Sequence, residues 1–80
     1  MKILEYHSRP YPNYIVIEYE NNIYLCFFDN ESLRLHRFTK IQVKSKNTYN
    51  YYDLIGEHPQ LITQLVDFTI QYNKLASICN

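Results

Sequence analysis

The sequence is poor in the residues on which several common functional motifs depend. Its 80 residues include one glycine, Gly56, two cysteines and no tryptophan. One glycine cannot form a glycine-rich phosphate-binding loop. The cysteines, Cys26 and Cys79, form neither a CxxC pair nor a Cys/His cluster with metal-ligand spacing. We therefore expect no metal site, and two unpaired thiols rather than a disulfide.

The charge and the hydropathy pattern exclude other classes of protein. Eight basic and eight acidic residues give a formal net charge of zero, without the basic excess typical of non-specific nucleic-acid binders. No apolar run is long enough to span a bilayer, and the N-terminus has no secretion signal. These features predict a single domain over residues 1–80, cytoplasmic, without membrane association, and with direct nucleic-acid binding disfavoured.

Tyrosine is the residue present in excess. The chain has nine tyrosines among its thirteen aromatic residues. Tyrosine suits positions where one end of a side chain is buried and the other meets water, and it is enriched at protein interfaces. The composition therefore indicates a contact surface rather than an enclosed substrate site.

The first half of the chain has the composition and alternation of β-strands. Arg9–Pro12 contains two prolines, which cannot donate to a strand ladder, so we expect a connecting loop there. Asn21 and Asn22 suit a two-residue hairpin turn because asparagine tolerates positive φ. A further turn is expected at residues 30–32. The predicted strands are residues 2–8, 14–20, 23–29 and 33–44.

The second half of the chain carries helical signals. Asn47 or Thr48 can cap a short helix that runs to about Ile55, and Gly56 then suits its left-handed C-terminal position. Pro59 suits the first turn of a second helix. The apolar face of that helix is formed by Leu61, Leu65, Phe68, Tyr72, Leu75 and Cys79. The predicted fold is α+β, an antiparallel sheet of about four strands with two C-terminal helices packed on one face.

Strand pairing divides the predicted sheet into two faces, because alternate residues of a strand point to opposite sides. The aliphatic face, which we assign to the helices, contains Val16, Ile23, Leu25, Phe27, Leu33 and Leu35. The other face contains Ile15, Ile17, Tyr19, Tyr24, Cys26, Phe28, Arg34, His36 and Phe38. Because Arg34 and His36 would be poorly accommodated beneath a helix, we expect this second face to be open. A one-residue bulge in either hairpin would exchange the two faces.

No group of residues predicts an active site. His7, His36 and His58 are scattered, and none lies four residues from another potential metal ligand. Arg34, His36 and Tyr24 could serve a toxin-like ribonuclease, because histidine moves protons and arginine stabilises a phosphorane. Such enzymes are usually strongly basic, whereas this chain is neutral. We therefore expect no enzymatic activity and no cofactor.

About the first quarter of the chain carries a family resemblance. The residues concerned are Met1, Lys2, Tyr6, Ser8, Asn13, Tyr14, Ile17, Tyr19, Glu20 and Asn21. Together they resemble the opening of a small type I-F anti-CRISPR family of phage-encoded proteins, in which antiparallel strands precede two helices. The resemblance implies an inhibitor that acts in the host bacterial cell. Such an inhibitor docks on the backbone subunits of the RNA-guided CRISPR surveillance complex and blocks hybridisation of target DNA.

The resemblance also implies particular docking residues. Tyr6 and Tyr19 fall where the family uses two tyrosines for docking, and Asp29 falls where it has a functional glutamate. The resemblance and the predicted open face together give six partner-binding residues. They are the anchors Tyr6, Tyr19 and Tyr24, the acidic Asp29, and the rim residues Arg34 and His36. The alternative function is a small nucleic-acid-binding module whose sheet tyrosines stack on bases.

Overall fold

The computed structural model describes residues 1–8 and 13–79, with side chains described as far as Leu75. Its elements are β1 (Lys2–His7), β2 (Asn13–Tyr19), β3 (Asn22–Phe28), α1 (Asn30–Arg34), β4 (Lys40–Ser45), β5 (Tyr52–Asp53) and α2 (Pro59–Cys79). The five strands form one antiparallel sheet in the order β1-β2-β3-β4-β5. Each strand therefore pairs with its neighbours in the sequence.

The α+β class and the antiparallel sheet are confirmed, but the number of elements is corrected. The sheet has five strands rather than about four, because turns and the short β5 replace the predicted helix ending near Ile55. The described chain therefore has one C-terminal helix, α2, which begins at Pro59 as predicted. Gly56 has a φ of +90°, but it lies between β5 and α2 instead of ending a helix. The loop predicted over Arg9–Pro12 lies outside the described residues.

The hairpin between β2 and β3 turns at Glu20 and Asn21, one residue earlier than predicted. Both residues have positive φ (+49° and +66°), as a type I′ turn requires, and the twist of that turn matches the twist of paired strands. Tyr19 therefore faces Asn22 across the hairpin. Because the turn moves by one residue, each β2 residue pairs with a β3 residue two positions away from the predicted partner. Residues two positions apart on a strand point to the same side, so the β2 and β3 residues that share a face are those predicted.

A short helix, α1, follows β3 where a turn and the start of a strand were predicted. The Asp29 Oδ1 accepts a hydrogen bond from the Ser32 backbone N–H at 2.6 Å, and the Ser32 hydroxyl oxygen accepts one from the Asp29 N–H at 3.0 Å. These reciprocal bonds form a capping box. At the other end, His36 adopts the left-handed conformation (φ +56°), usually taken by glycine. The N–H groups of His36 and Arg37 donate to the carbonyls of Leu33 and Ser32.

Because α1 occupies these residues, the register of β4 differs from the prediction. Phe27 pairs with Lys40, whereas the predicted partner was Leu35. The displacement from Leu35 to Lys40 is an odd number of residues, so the side chains of β4 lie on the opposite face from the one predicted. The β4 residues that share a face with Phe27 are Lys40, Gln42 and Lys44.

The hydrophobic core lies between the sheet and the two helices. Its buried cluster contains Ile15, Ile17, Tyr24, Cys26, Phe28, Leu33 and Leu65. Leu61, Phe68 and Tyr72 of α2 pack against this cluster, as predicted, whereas Leu75, predicted on the same face, is 60% exposed. Cys26 is a free thiol, as expected, and burial raises its pKa to about 12, so it stays protonated and unreactive. The side chain of Cys79 lies outside the described part of the chain.

The sheet face predicted to be open is the face that the helices cover. Tyr24 is only 5% exposed, and Ile15 and Ile17 are fully buried. The prediction was wrong because Arg34 and His36, which argued against a covering helix, belong to α1 and its C-terminal cap and not to a strand. The aliphatic side of β2 and β3 is therefore the open one.

Candidate functional site

The open face is the side of the sheet that points away from α1 and α2. Its apolar centre comes from β2 and β3 and consists of Val16, Ile23, Leu25 and Phe27. Val16 and Ile23 are buried, with 7% and 9% of their surface exposed, whereas Leu25 and Phe27 are half-buried. None of the four belongs to the cluster packed beneath the helices. The apolar surface that this face leaves to solvent therefore comes mainly from Leu25 and Phe27, because no described helix packs on this side of the sheet. The open face is therefore the candidate site.

A small pocket of about 260 Å³ opens in this face. The residues that line it are Glu5, Tyr14, Val16, Leu25, Phe27 and Tyr51. Glu5, Val16 and Leu25 lie side by side on three neighbouring strands. Tyr14 and Phe27 form the next cross-strand pair, with ring centroids 5.9 Å apart. Tyr51, from the segment before β5, adds a third aromatic ring to the pocket.

Glu5 carries the negative charge of the pocket. The Tyr14 hydroxyl donates to Glu5 Oε1 at 2.6 Å, and the imidazole of His7 stacks on the Tyr14 ring, with centroids 5.2 Å apart. The hydrogen bond to Glu5 is the main reason that the pKa of Tyr14 is raised. Burial, followed by the charge of Glu5, raises the pKa of Tyr51. The Glu5 carboxylate therefore contributes to the raised pKa of tyrosines from two different parts of the chain.

Charged side chains of both signs surround the apolar centre. Lys46 Nζ lies 3.6 Å from Glu18 Oε2, and Lys40 Nζ lies 4.0 Å from Asp53 Oδ1. Solvent-exposed pairs of this kind contribute little to stability. A polar, charged rim around an apolar centre is, however, the usual arrangement of a protein-binding surface.

The three tyrosines predicted to bind a partner lie on the covered face. The Tyr6 hydroxyl donates to Asn73 Oδ1 at 2.5 Å. The Tyr6 ring meets the Tyr72 ring edge-on, with centroids 4.8 Å apart. Burial, followed by the charge of Tyr72, raises the pKa of Tyr6. Tyr24 lies in the core and Tyr19 packs against it. The prediction that Tyr19 and Tyr24 form an exposed patch is therefore wrong. A partner contact by Tyr6 or Tyr19 stays a prediction.

The other predicted site residues, Asp29, Arg34 and His36, lie at the two ends of α1. Asp29 is half-buried and uses one carboxylate oxygen as the helix cap. Arg34 is exposed in the last turn of α1, and the exposed His36 has its Nδ1 3.9 Å from Asp67 Oδ1. These residues therefore lie at helix ends rather than on the strand predicted for Arg34 and His36, and their contact with a partner stays a prediction.

Replacing Asp29 with alanine is expected to lower the free energy of unfolding by about 1 kcal/mol, because the cap of α1 is lost. Asp29→Ser should retain most of the stability, since serine keeps a capping oxygen while removing the charge. Urea unfolding followed by circular dichroism measures both changes. The control is Asn30→Ala, at an exposed position, where a change within about 0.5 kcal/mol is expected. An equal loss for serine and alanine would show that the charge stabilises α1, and not the capping bond.

The residues of the pocket were missed by sequence reasoning. Neither Glu5 nor Tyr14 was among the predicted site residues, and Tyr51 was assigned to a helix. The overlooked signal was Asp29 followed three residues later by Ser32, a pattern typical of a helix start. This pattern indicates the start of α1. The residues taken up by α1 determine where β4 begins and therefore which β4 side chains lie on the open face.

Comparison with known proteins identifies no relative: no protein-family model, curated protein or solved structure matches the chain. Among the described residues, no three His, Cys, Asp or Glu side chains are grouped so that they could hold a metal ion. The helices of the described chain are all too short or too polar to cross a membrane. A functional proposal therefore depends on the open face and on the resemblance at the N-terminus.

Proposed function

We propose that this chain is a non-catalytic binding protein that docks on a partner protein through the open face of its sheet. The observation that carries the proposal is that no described helix covers this face, so that Leu25 and Phe27 stay partly exposed beside the buried Val16 and Ile23. Burial of this centre against a partner removes apolar surface from water, the main driving force for association. Phe27 and Tyr14 are of the residue type that anchors many interfaces.

The distribution of charge on the open face favours a protein partner. The basic residues Lys2, Lys40 and Lys44 share this face with the acidic residues Glu5, Glu18 and Asp53. A surface that binds the phosphate backbone would be predominantly basic. A face with both signs suits a protein with the opposite arrangement, because such complementarity fixes the orientation of docking.

The partner that we propose is a CRISPR ribonucleoprotein, as the resemblance at the N-terminus implies. In this proposal the chain is an anti-CRISPR-like inhibitor that acts in the cytoplasm of the host cell. It occupies the backbone subunits of the surveillance complex and sterically blocks hybridisation of target DNA to the guide. Tyr14, one of the residues that carry the resemblance, lies on the open face.

A hybridisation assay with purified type I-F surveillance complex tests this function. The complex is incubated with the chain before labelled target DNA is added, and the DNA–complex band is followed by gel shift. We expect the band to disappear as the chain reaches molar excess, because docking blocks access to the guide. DNA that is hybridised before the chain is added should stay bound. Undiminished hybridisation at saturating chain concentration would exclude this partner.

A small nucleic-acid-binding module is the second candidate function. It is favoured by Tyr14 and Phe27, whose rings could stack on bases, and by Lys40 and Lys44 on the same face. Titration of labelled single-stranded RNA and DNA at two salt concentrations distinguishes the candidates. A nucleic-acid module should bind tightly, with an affinity that falls steeply as salt rises. A protein-docking face should leave the free oligonucleotides unbound.

A further inference from the structure

The pocket in the open face has the composition of a site for a cation. Three aromatic rings, those of Tyr14, Phe27 and Tyr51, line it together with the carboxylate of Glu5. The faces of aromatic rings attract cations that lie within about 6 Å of the ring centroid. The nearby carboxylate adds a full negative charge to this attraction. A neutral apolar ligand would gain nothing from that charge.

We propose that the pocket binds the ammonium or guanidinium group of a lysine or arginine side chain presented by the partner protein. The inference rests on the proposed function, since it identifies what the open face recognises on its partner. The pocket measures about 260 Å³, which is smaller than the roughly 300–1,000 Å³ typical of sites for drug-sized ligands. It suits one inserted side chain.

Glu5 is positioned to receive such a cation. Among the described residues, its Oε1 accepts a hydrogen bond from the Tyr14 hydroxyl at 2.6 Å. A carboxylate can accept several hydrogen bonds, so capacity for a cationic donor is left. Within the described part of the chain, Glu5 forms no ion pair. The Tyr14 ring is already held beside the carboxylate by its hydrogen bond to Glu5 and by the stacked His7. Little ordering of these side chains is therefore needed when a cation binds.

Lys44 shows that one of the pocket rings already attracts a cation. Its Nζ lies 5.7 Å from the centroid of Tyr51 and donates to the carbonyl of Thr48 at 2.8 Å. This lysine is bound to the segment that carries Tyr51, and it is not one of the residues lining the pocket. No described lysine or arginine lines the pocket, so the rings and the carboxylate that line it are left for a cation of the partner.

NMR titration of the full chain with capped amino acids tests the pocket directly. The probes are Nα-acetyl-lysine amide and Nα-acetyl-arginine amide. The control ligand is Nα-acetyl-norleucine amide, which has the alkyl chain of lysine without its ammonium group. We expect the two cationic probes to shift the backbone amide signals of Val16, Leu25 and Phe27 saturably, and norleucine amide to leave them unchanged. Equal shifts with norleucine amide would overturn the inference, because the pocket would then recognise only apolar surface.

Variants of the pocket separate the contribution of the ring from that of the charge. Tyr51→Leu should weaken binding of the lysine probe roughly two- to fivefold, because one aromatic face is lost. Tyr51→Phe keeps the ring and should bind as the parent chain does. Glu5→Gln should weaken binding at least as much as Tyr51→Leu, while the matched control Tyr52→Leu, at an exposed β5 position, should not change it. Unchanged affinity in Glu5→Gln would contradict the proposal.

Failure of the pocket and failure of the proposed function give different results. If neither cationic probe binds while Phe27→Glu abolishes docking on the partner, the face docks without a cation pocket and the inference is overturned. If the probes bind while Phe27→Glu leaves docking intact, the cation specificity of the pocket is supported and the docking function is overturned.

Discussion

Replacing Tyr24 with alanine is expected to lower the free energy of unfolding by about 3–5 kcal/mol, the cost of removing a large aromatic side chain from a core. Tyr24 is 5% exposed and belongs to the cluster beneath the helices. Its truncation removes apolar contacts and leaves a cavity between the sheet and α2. Because a small domain has only about 5–15 kcal/mol of stability in total, the urea midpoint should fall sharply. Urea unfolding followed by circular dichroism measures the change.

Phe27 provides the matched comparison for Tyr24, because it lies on the same strand and points to the open face. It is half-buried, so Phe27→Ala should cost only about 1–2 kcal/mol. Tyr24→Phe removes only a hydroxyl that accepts a long, 3.4 Å hydrogen bond from Asn22, and it should cost less than about 1 kcal/mol. A larger loss for Phe27→Ala than for Tyr24→Ala would mean that the helices cover the other face.

Replacing Phe27 with glutamate is expected to weaken docking on the partner by at least about 30-fold, which corresponds to the 2 kcal/mol that defines a strong interface anchor. The change removes an aromatic ring from the apolar centre and requires a carboxylate to lose its hydration when the partner docks. The hybridisation assay with the surveillance complex measures the loss as a higher concentration of chain needed for inhibition.

Tyr52→Glu is the control for this variant, since it makes the same chemical change at an exposed position outside the apolar centre. It should inhibit like the parent chain. Circular dichroism and a cooperative thermal transition establish that Phe27→Glu is folded. If that variant unfolds, Tyr51→Glu tests the same face from a segment outside the strands. Full inhibition by a folded Phe27→Glu variant would show that the open face is not the docking surface.

Local pattern was sufficient to predict several elements of the fold. The β-branched and aromatic runs located β2 and β3 to within one residue at each end, and Pro59 marked the start of α2. The apolar face of α2 was predicted from Leu61 to Tyr72, since its spacing is a property of the segment alone, but not at the exposed Leu75. The turn was displaced by one residue because Glu20, which has no obvious preference for positive φ, occupies its first position.

The orientation of the sheet was predicted wrongly because it depended on α1, whose N-terminal capping residues Asp29 and Ser32 were overlooked. A helix of five residues is too short to show a hydrophobic period. Its end was also unmarked, since His36 occupies the position where glycine is usual. Arg34 and His36 were consequently placed on a strand, and the faces were exchanged. The pocket was missed for a further reason, because Tyr51 meets Glu5 and Tyr14 only through tertiary structure.

The order of the strands in the sheet affects how the chain folds during its synthesis. Because each strand pairs with its neighbour in the sequence, the sheet forms by closing short loops, and topologies of this kind fold rapidly. All five strands precede α2, and at roughly 5–20 residues per second the ribosome needs on the order of seconds to synthesise that helix. Until α2 has been synthesised, the core side chains that it covers, such as Ile17 and Tyr24, have no helix to pack against. We therefore expect docking of α2 to be the step that withdraws this side of the sheet from chaperones and other nascent chains.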